Sequence, residues 1–153
     1  MRLIPHAVLP ILVIATLSIV DPTTASAQER LPAYVRNNTY VAGQVLGCTI
    51  RLERYFAHTL DRAASAGRVL PVTELDVVAG LDLQALKADA KQALVAQGGG
   101  TYPTEELELA VSEIADGEYD GSLVGLPGYS EAWLQAMGCA ALFLQFELYD
   151  SYR

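Results

Sequence analysis

This chain is short of the residues on which most enzymatic and metal chemistry depends. Its 153 residues include two cysteines, two histidines and one tryptophan. His6 lies in an N-terminal apolar stretch, so His58 is the single histidine beyond it. A zinc site draws on about four neighbouring Cys, His or carboxylate ligands, which argues against metal binding at the thiols. No Cys-x-x-Cys pair is present to support thioredoxin-like exchange. No Gly-x-Ser-x-Gly elbow marks a hydrolase nucleophile, and Glu53 and His58 share no obvious helical face. The Gly98-Gly99-Gly100 run lacks the Gly-Lys-Ser/Thr ending of a phosphate loop and follows a helix pattern, so it reads as a connector. Cationic residues are also scarce, with ten Lys and Arg against eighteen Asp and Glu. That argues against nucleic acid, whose binding is dominated by cationic contacts to phosphate.

What is present begins with an export signal. Met1-Arg2 is a short basic start, Leu3 to Val20 is mostly apolar, and Ala25-Ser26-Ala27 fits the small-x-small rule for cleavage before Gln28. Pro5, His6 and Pro10 interrupt the stretch and weigh against a retained membrane anchor. The expectation is a cleaved secretory signal peptide over 1–27 and a single helical domain over 28–153. No comparable apolar run follows, so the mature product is expected to be periplasmic or secreted and free of the membrane. Asn37-Asn38-Thr39 matches a glycosylation sequon and is read as coincidence.

Export places the two cysteines in an oxidising setting, where pairing is the expected state. Cys48 and Cys139 end two matching pentads, Gln44-Val45-Leu46-Gly47-Cys48 and Gln135-Ala136-Met137-Gly138-Cys139. The expectation is a disulfide joining the first and last long helices, with Gly47 and Gly138 allowing those helices to approach closely.

Periodicity is helical throughout. Val41, Val45, Cys48, Leu52, Tyr55, Phe56, Thr59 and Ala63 recur at three- and four-residue spacing, predicting a helix from about Asn38 to Ala66 that closes at Gly67. Thr73 with Asp76 forms a capping-box pattern for a short helical turn through Ala79. A second long helix is predicted over 83–97. A third starts at Thr104, carries Leu107, Val111 and Ile114 as its inward stripe, and stops at Gly117. The last follows a cap at Ser130 and is apolar all round between Ala136 and Leu144, predicting burial on several sides. The fold expected is all-α: a compact four-to-five-helix bundle with its first and last long helices tied together.

Charge is split along the chain. Glu29 to Arg68 holds six arginines and three acids, whereas Val69 to Asp150 holds two lysines and fourteen acids, within an overall net charge of −8. Either the basic first helix packs beside acidic neighbours, or the acids form a surface for a basic partner.

The segment from Asp116 to Gly128 is predicted to be a loop. Asp116, Glu118 and Asp120 offer oxygens at the first, third and fifth positions of a calcium-loop pattern with Gly121 at the sixth, but Pro127 stands where a bidentate Glu is needed. Calcium is thus a possible ligand on half a motif. Tyr102, Tyr119 and Tyr129, beside Asp116, Glu118 and Asp120, form the candidate recognition surface for another protein, the acids suiting a partner with a basic surface. At the level of architecture the chain resembles periplasmic immunity proteins that neutralise secreted peptidoglycan amidases. Those are signal-bearing and helical, with a cysteine in an early helix linked to one in the last. Cys48, Cys139 and the nearby Leu148-Tyr149 carry the likeness, which implies an acidic loop facing a basic enzyme cleft. The function expected is a small exported, non-enzymatic protein-binding module of inhibitor or immunity type. The alternatives are a calcium-stabilised envelope protein and an unrecognised envelope hydrolase.

Overall fold

The computed structural model describes residues 30–65, 67, 73–98, 104–122, 131–146 and 148–153. The expected signal segment, the cap at Ser130, and Tyr102 and Tyr129 lie outside the described residues. Among the described residues the structure is all helix, with no strand.

One turn, α1 (Ala33–Arg36), leads into α2 (Thr39–Arg54). The Asn38 side chain accepts from the backbone N–H groups of Tyr40 and Val41 at 3.1 and 3.2 Å, satisfying two donors that a helix start leaves open. The helix continues without a break through a π-helical turn, Tyr55–Leu60, into α3 (Asp61–Ser65). Gly67 then takes φ +66°, a left-handed conformation suited to ending a helix. The short α4 (Glu74–Val78) carries the expected reciprocal cap, Thr73 accepting from the Leu75 N–H and Asp76 accepting from the Thr73 N–H at 2.7 Å. Next come α5 (Leu83–Gly98), α6 (Thr104–Ser122), α7 (Glu131–Gln145) and a closing 3-10 turn, Leu148–Ser151. Asp82 caps α5 by accepting from the Ala85 N–H at 2.9 Å. No helix among the described residues is long and apolar enough to cross a membrane.

The long α2 is the centre of the bundle and packs against α5, α6 and α7. Its buried side, Ala42, Val45, Leu46, Ile50, Leu52 and Tyr55, meets Leu86, Ala90, Ala93 and Leu94 of α5 and Ala132, Trp133, Ala136, Ala140 and Phe143 of α7. Sequestering these side chains is the main favourable term, at about 25 cal/mol per Å² of apolar surface. The disulfide expected from the sequence is formed, Cys48 to Cys139, with Cα atoms 5.2 Å apart.

Four expectations need correction. Helix α6 does not stop at Gly117 but runs to Ser122, because Tyr119 is buried beyond the glycine and its packing outweighs a cost of about 1 kcal/mol for glycine in a helix. The stripe of Leu107, Val111 and Ile114 is not the inward one: Leu107 and Ile114 are exposed, and the neighbouring stripe of Glu108, Ser112, Ala115 and Tyr119 faces the bundle. Helix α7 is buried along one side only, since Leu134, Gln135, Gly138 and Ala141 are exposed. Finally, Gly47 and Gly138 are not required for helix approach. A Cβ built on Gly138 meets nothing within 4 Å, and one on Gly47 meets only the tip of Arg51, at 3.8 Å.

Candidate functional site: a disulfide-floored groove

In a helix, residues three and four apart share a side. Each pentad therefore sets its Gln, Gly and Cys on one side of its helix, and the disulfide brings the two sides together. Beside the bond lies an open groove of about 740 Å³. Helix α2 contributes Thr39, Tyr40, Gly43, Gln44, Gly47, Cys48 and Arg51; α7 contributes Gln135, Gly138, Cys139 and Leu142; Leu107 and Val111 of α6 and Leu94 of α5 complete the lining. The three glycines explain the space. Gly43, like Gly138, would meet nothing within 4 Å if it carried a Cβ, so these positions keep the floor low.

The helices that line the groove carry apolar side chains left in water. Tyr40 is 74% exposed; Ile114, one turn along α6 from Val111, is 54% exposed; Leu134, one turn along α7 from Gly138, is 56% exposed. Helix α6 adds charge of one sign, because Thr104–Ser122 contains no Lys or Arg while Glu105, Glu106 and Glu113 are exposed.

Behind the groove, α6 is locked to α2 and α5 by a charged seam. Arg54 donates to the Ser112 hydroxyl and lies 3.3 Å from Asp116; Arg51 lies 3.7 Å from Glu118. His58 Nε2 is 3.9 Å from the same Asp116 carboxylate. Lys87 bridges Glu53 at 2.9 Å and Glu108 at 3.8 Å, and Lys91 reaches Glu108 at 2.7 Å. The hydrogen bond from Lys91 lowers the Glu108 pKa below its ordinary value, against the opposing effect of burial. The basic first helix thus packs beside acidic neighbours, and Asp116 and Glu118 are engaged inside the molecule.

This arrangement redraws the predicted site. Asp116, Glu118, Tyr119 and Asp120 lie on α6, not on a loop. Asp116 and Glu118 are about 200° apart around the helix, so they do not converge as in a calcium loop. No cluster of three His, Cys, Asp or Glu suited to a metal ion occurs among the described residues. Tyr119 is not a recognition residue on the surface: it is 1% exposed, donates to the Arg51 carbonyl, and packs edge-on against Tyr55 with ring centroids 6.2 Å apart. Burial raises its pKa strongly, and burial aided by the Asp76 charge pushes Tyr55 up to about 12. Glu53 and His58 line separate clefts, of about 440 and 350 Å³, so they do not form a catalytic pair.

A second polar cluster joins Arg30 and Tyr152 to Asp89 of α5. Asp89 is 1% exposed and accepts from the Tyr152 hydroxyl; Arg30 lies 3.9 Å from the Asp89 carboxylate and stacks over the Tyr152 ring at 4.1 Å. The second Asp89 oxygen, Oδ1, is buried without a hydrogen-bond partner among the described residues. Desolvation raises the Asp89 pKa, with the Tyr152 hydrogen bond and the Arg30 charge opposing it. The backbone repeats the tie, as the Asp82 N–H donates to the Tyr152 carbonyl at 2.7 Å.

No protein-family model, no curated protein and no solved structure matches this chain. The groove residues Tyr40, Gln44, Gln135, Leu107 and Val111 were missed as a site by sequence reasoning. The repeated pentad was the available signal, since its Gln, Gly and Cys positions line the groove.

Proposed function

We propose that this is a small exported, non-enzymatic binding protein of inhibitor or immunity type. Its partner is another protein, which inserts an apolar side chain into the disulfide-floored groove and sets basic groups against α6. One observation carries this reading: a preformed groove of about 740 Å³ whose floor consists of a disulfide and three glycines. A floor tied by a covalent bond needs little ordering on association, which favours affinity. The exposed acids of α6, Glu105, Glu106 and Glu113, and the net charge of −8 favour encounter with a basic surface.

The test is site-specific crosslinking in the native envelope. A photoreactive residue at Gln135 is expected to capture one saturable protein partner, and the same residue at exposed Val77, far along the chain on α4, is expected to capture none. Capture should weaken at high salt and disappear in Leu107→Arg. Equal capture from both positions, or capture indifferent to Leu107→Arg, refutes the groove as the binding face.

A further inference from the structure

A disulfide sealed in a core reacts with thiols only after the protein unfolds, whereas this one borders an open groove, with Cys48 partly exposed and Cys139 5% exposed. Both cysteines line the groove. Cys48 is the less buried of the two and packs at the margin of the core rather than within it. The positions that would overhang the bond are glycines, and at Gly138 and Gly43 even an added Cβ would have no neighbour within 4 Å. Arg51 lines the same groove, with its guanidinium Nη1 3.8 Å from where a Gly47 Cβ would stand, one residue from Cys48. Arg51 also lies 3.7 Å from Glu118, so the charge it brings to the groove is shared, and a cation in the groove favours thiolate over thiol in an approaching reagent.

We infer that the Cys48–Cys139 bond is a thiol-exchange site of the folded protein, and that the groove admits small dithiols to it. One thiolate of the dithiol attacks the Cys48 sulfur. A mixed disulfide forms as the Cys48–Cys139 bond breaks, and Cys139 leaves as a thiolate that takes a proton from water. The second thiolate of the dithiol then displaces Cys48, which also leaves as a thiolate. The reagent departs as a cyclic disulfide, and two electrons have passed to the protein. Reduction removes the covalent floor of the groove, so the shape of the groove follows the thiol content of its surroundings. This inference goes beyond the binding reading and does not need a partner to exist.

The experiment uses the full oxidised protein and dithiothreitol at pH 8 without denaturant, with alkylation at timed intervals and mass determination. The expected result is reduction whose rate rises in proportion to dithiothreitol and exceeds the unfolding rate measured separately by denaturant jump. Gly138→Leu, which projects a side chain over the floor, should slow exchange at least tenfold while leaving the melting temperature unchanged or higher. A rate that saturates in dithiothreitol at the unfolding rate overturns the inference, because exchange then requires the open chain. The concentration dependence of the wild-type rate decides the matter even if the variant misfolds. A failed partner search would leave this result untouched, and a failed reduction would leave the partner search untouched.

Discussion

Replacing both cysteines with alanine should cost about 4.6 kcal/mol. The bond joins residues 91 apart in sequence. In the chain-entropy relation, closing a loop of that length removes about 15.5 cal/mol/K from the unfolded ensemble, or about 4.6 kcal/mol at 25 °C. The native side of the balance adds little. Both cysteines line an open groove, the packing lost is chiefly that of Cys139 at 5% exposure, and α7 retains the burial of Trp133, Ala136, Ala140 and Phe143. Domain stabilities are about 5–15 kcal/mol, so the variant should stand near the edge of unfolding. The assay is urea denaturation followed by far-ultraviolet circular dichroism, comparing midpoint and slope. The slope should increase, because an unfolded chain without the crosslink exposes more surface. A loss below about 1.5 kcal/mol with an unchanged slope would refute the argument. It would mean that the unfolded chain remains compact for reasons other than the bond.

Three further outcomes follow from polar groups packed between the helices. Tyr119→Ala should destabilise by about 3–5 kcal/mol and Tyr119→Phe by about 1 kcal/mol, measured by thermal melting. Equal, negligible costs would return Tyr119 to the surface. Asp89→Ala should cost about 1–3 kcal/mol by stranding the Tyr152 hydroxyl, whereas Asp89→Asn keeps an acceptor and should cost less. The raised pKa of Asp89 means that its contribution is most favourable below the ordinary 3.8 and is lost as pH rises through the folded value. Asp89→Asn should therefore lack that pH dependence across the same interval. Glu108 has the opposite sign: its lowered pKa gives a contribution present above 4.5 and lost as pH falls through the folded value. The melting difference between wild type and Glu108→Gln, worth at most about 1 kcal/mol for a pair partly in water, should close on acidification below 4.5.

The helices were legible because their signals are local. Asn38 as a start, Gly67 as a stop and the Thr73–Asp76 box each act within a few residues, and the structure bears out all three. The face of α6 was not legible for the opposite reason. It carries two adjacent stripes about 100° apart, one apolar (Leu107, Val111, Ile114) and one mixed (Glu108, Ser112, Ala115, Tyr119). Hydrophobicity alone selects the first. The structure selects the second, since α2 presents Arg51 and Arg54, and α5 presents Lys87 and Lys91, whose charges are met by the carboxylates of α6. A pairing preference between helices far apart in sequence is invisible to a window along one of them. The π-helical turn at Tyr55–Leu60 was missed likewise, because no local residue type marks it.

The glycines offer the sharpest way to separate structure from function in this fold. Gly43, Gly47 and Gly138 lie inside α2 and α7, where each is worth roughly 0.5–1 kcal/mol less than alanine. None takes a positive φ, and none faces a neighbour that an added Cβ would strike. If they served helix packing, alanine would collide and destabilise. The groove predicts the reverse: the triple variant Gly43→Ala, Gly47→Ala, Gly138→Ala should be more stable by about 1.5–3 kcal/mol, with the disulfide intact. The same three methyl groups raise the floor, so partner capture should weaken and dithiol exchange should slow. Stability gained where activity is lost is the pattern expected when residues are kept for a site rather than for the fold. Calorimetry on the triple variant reads the first quantity and the timed alkylation assay the second. A destabilised variant would show that the glycines serve packing after all, and the case for a purpose-built groove would lose its main support.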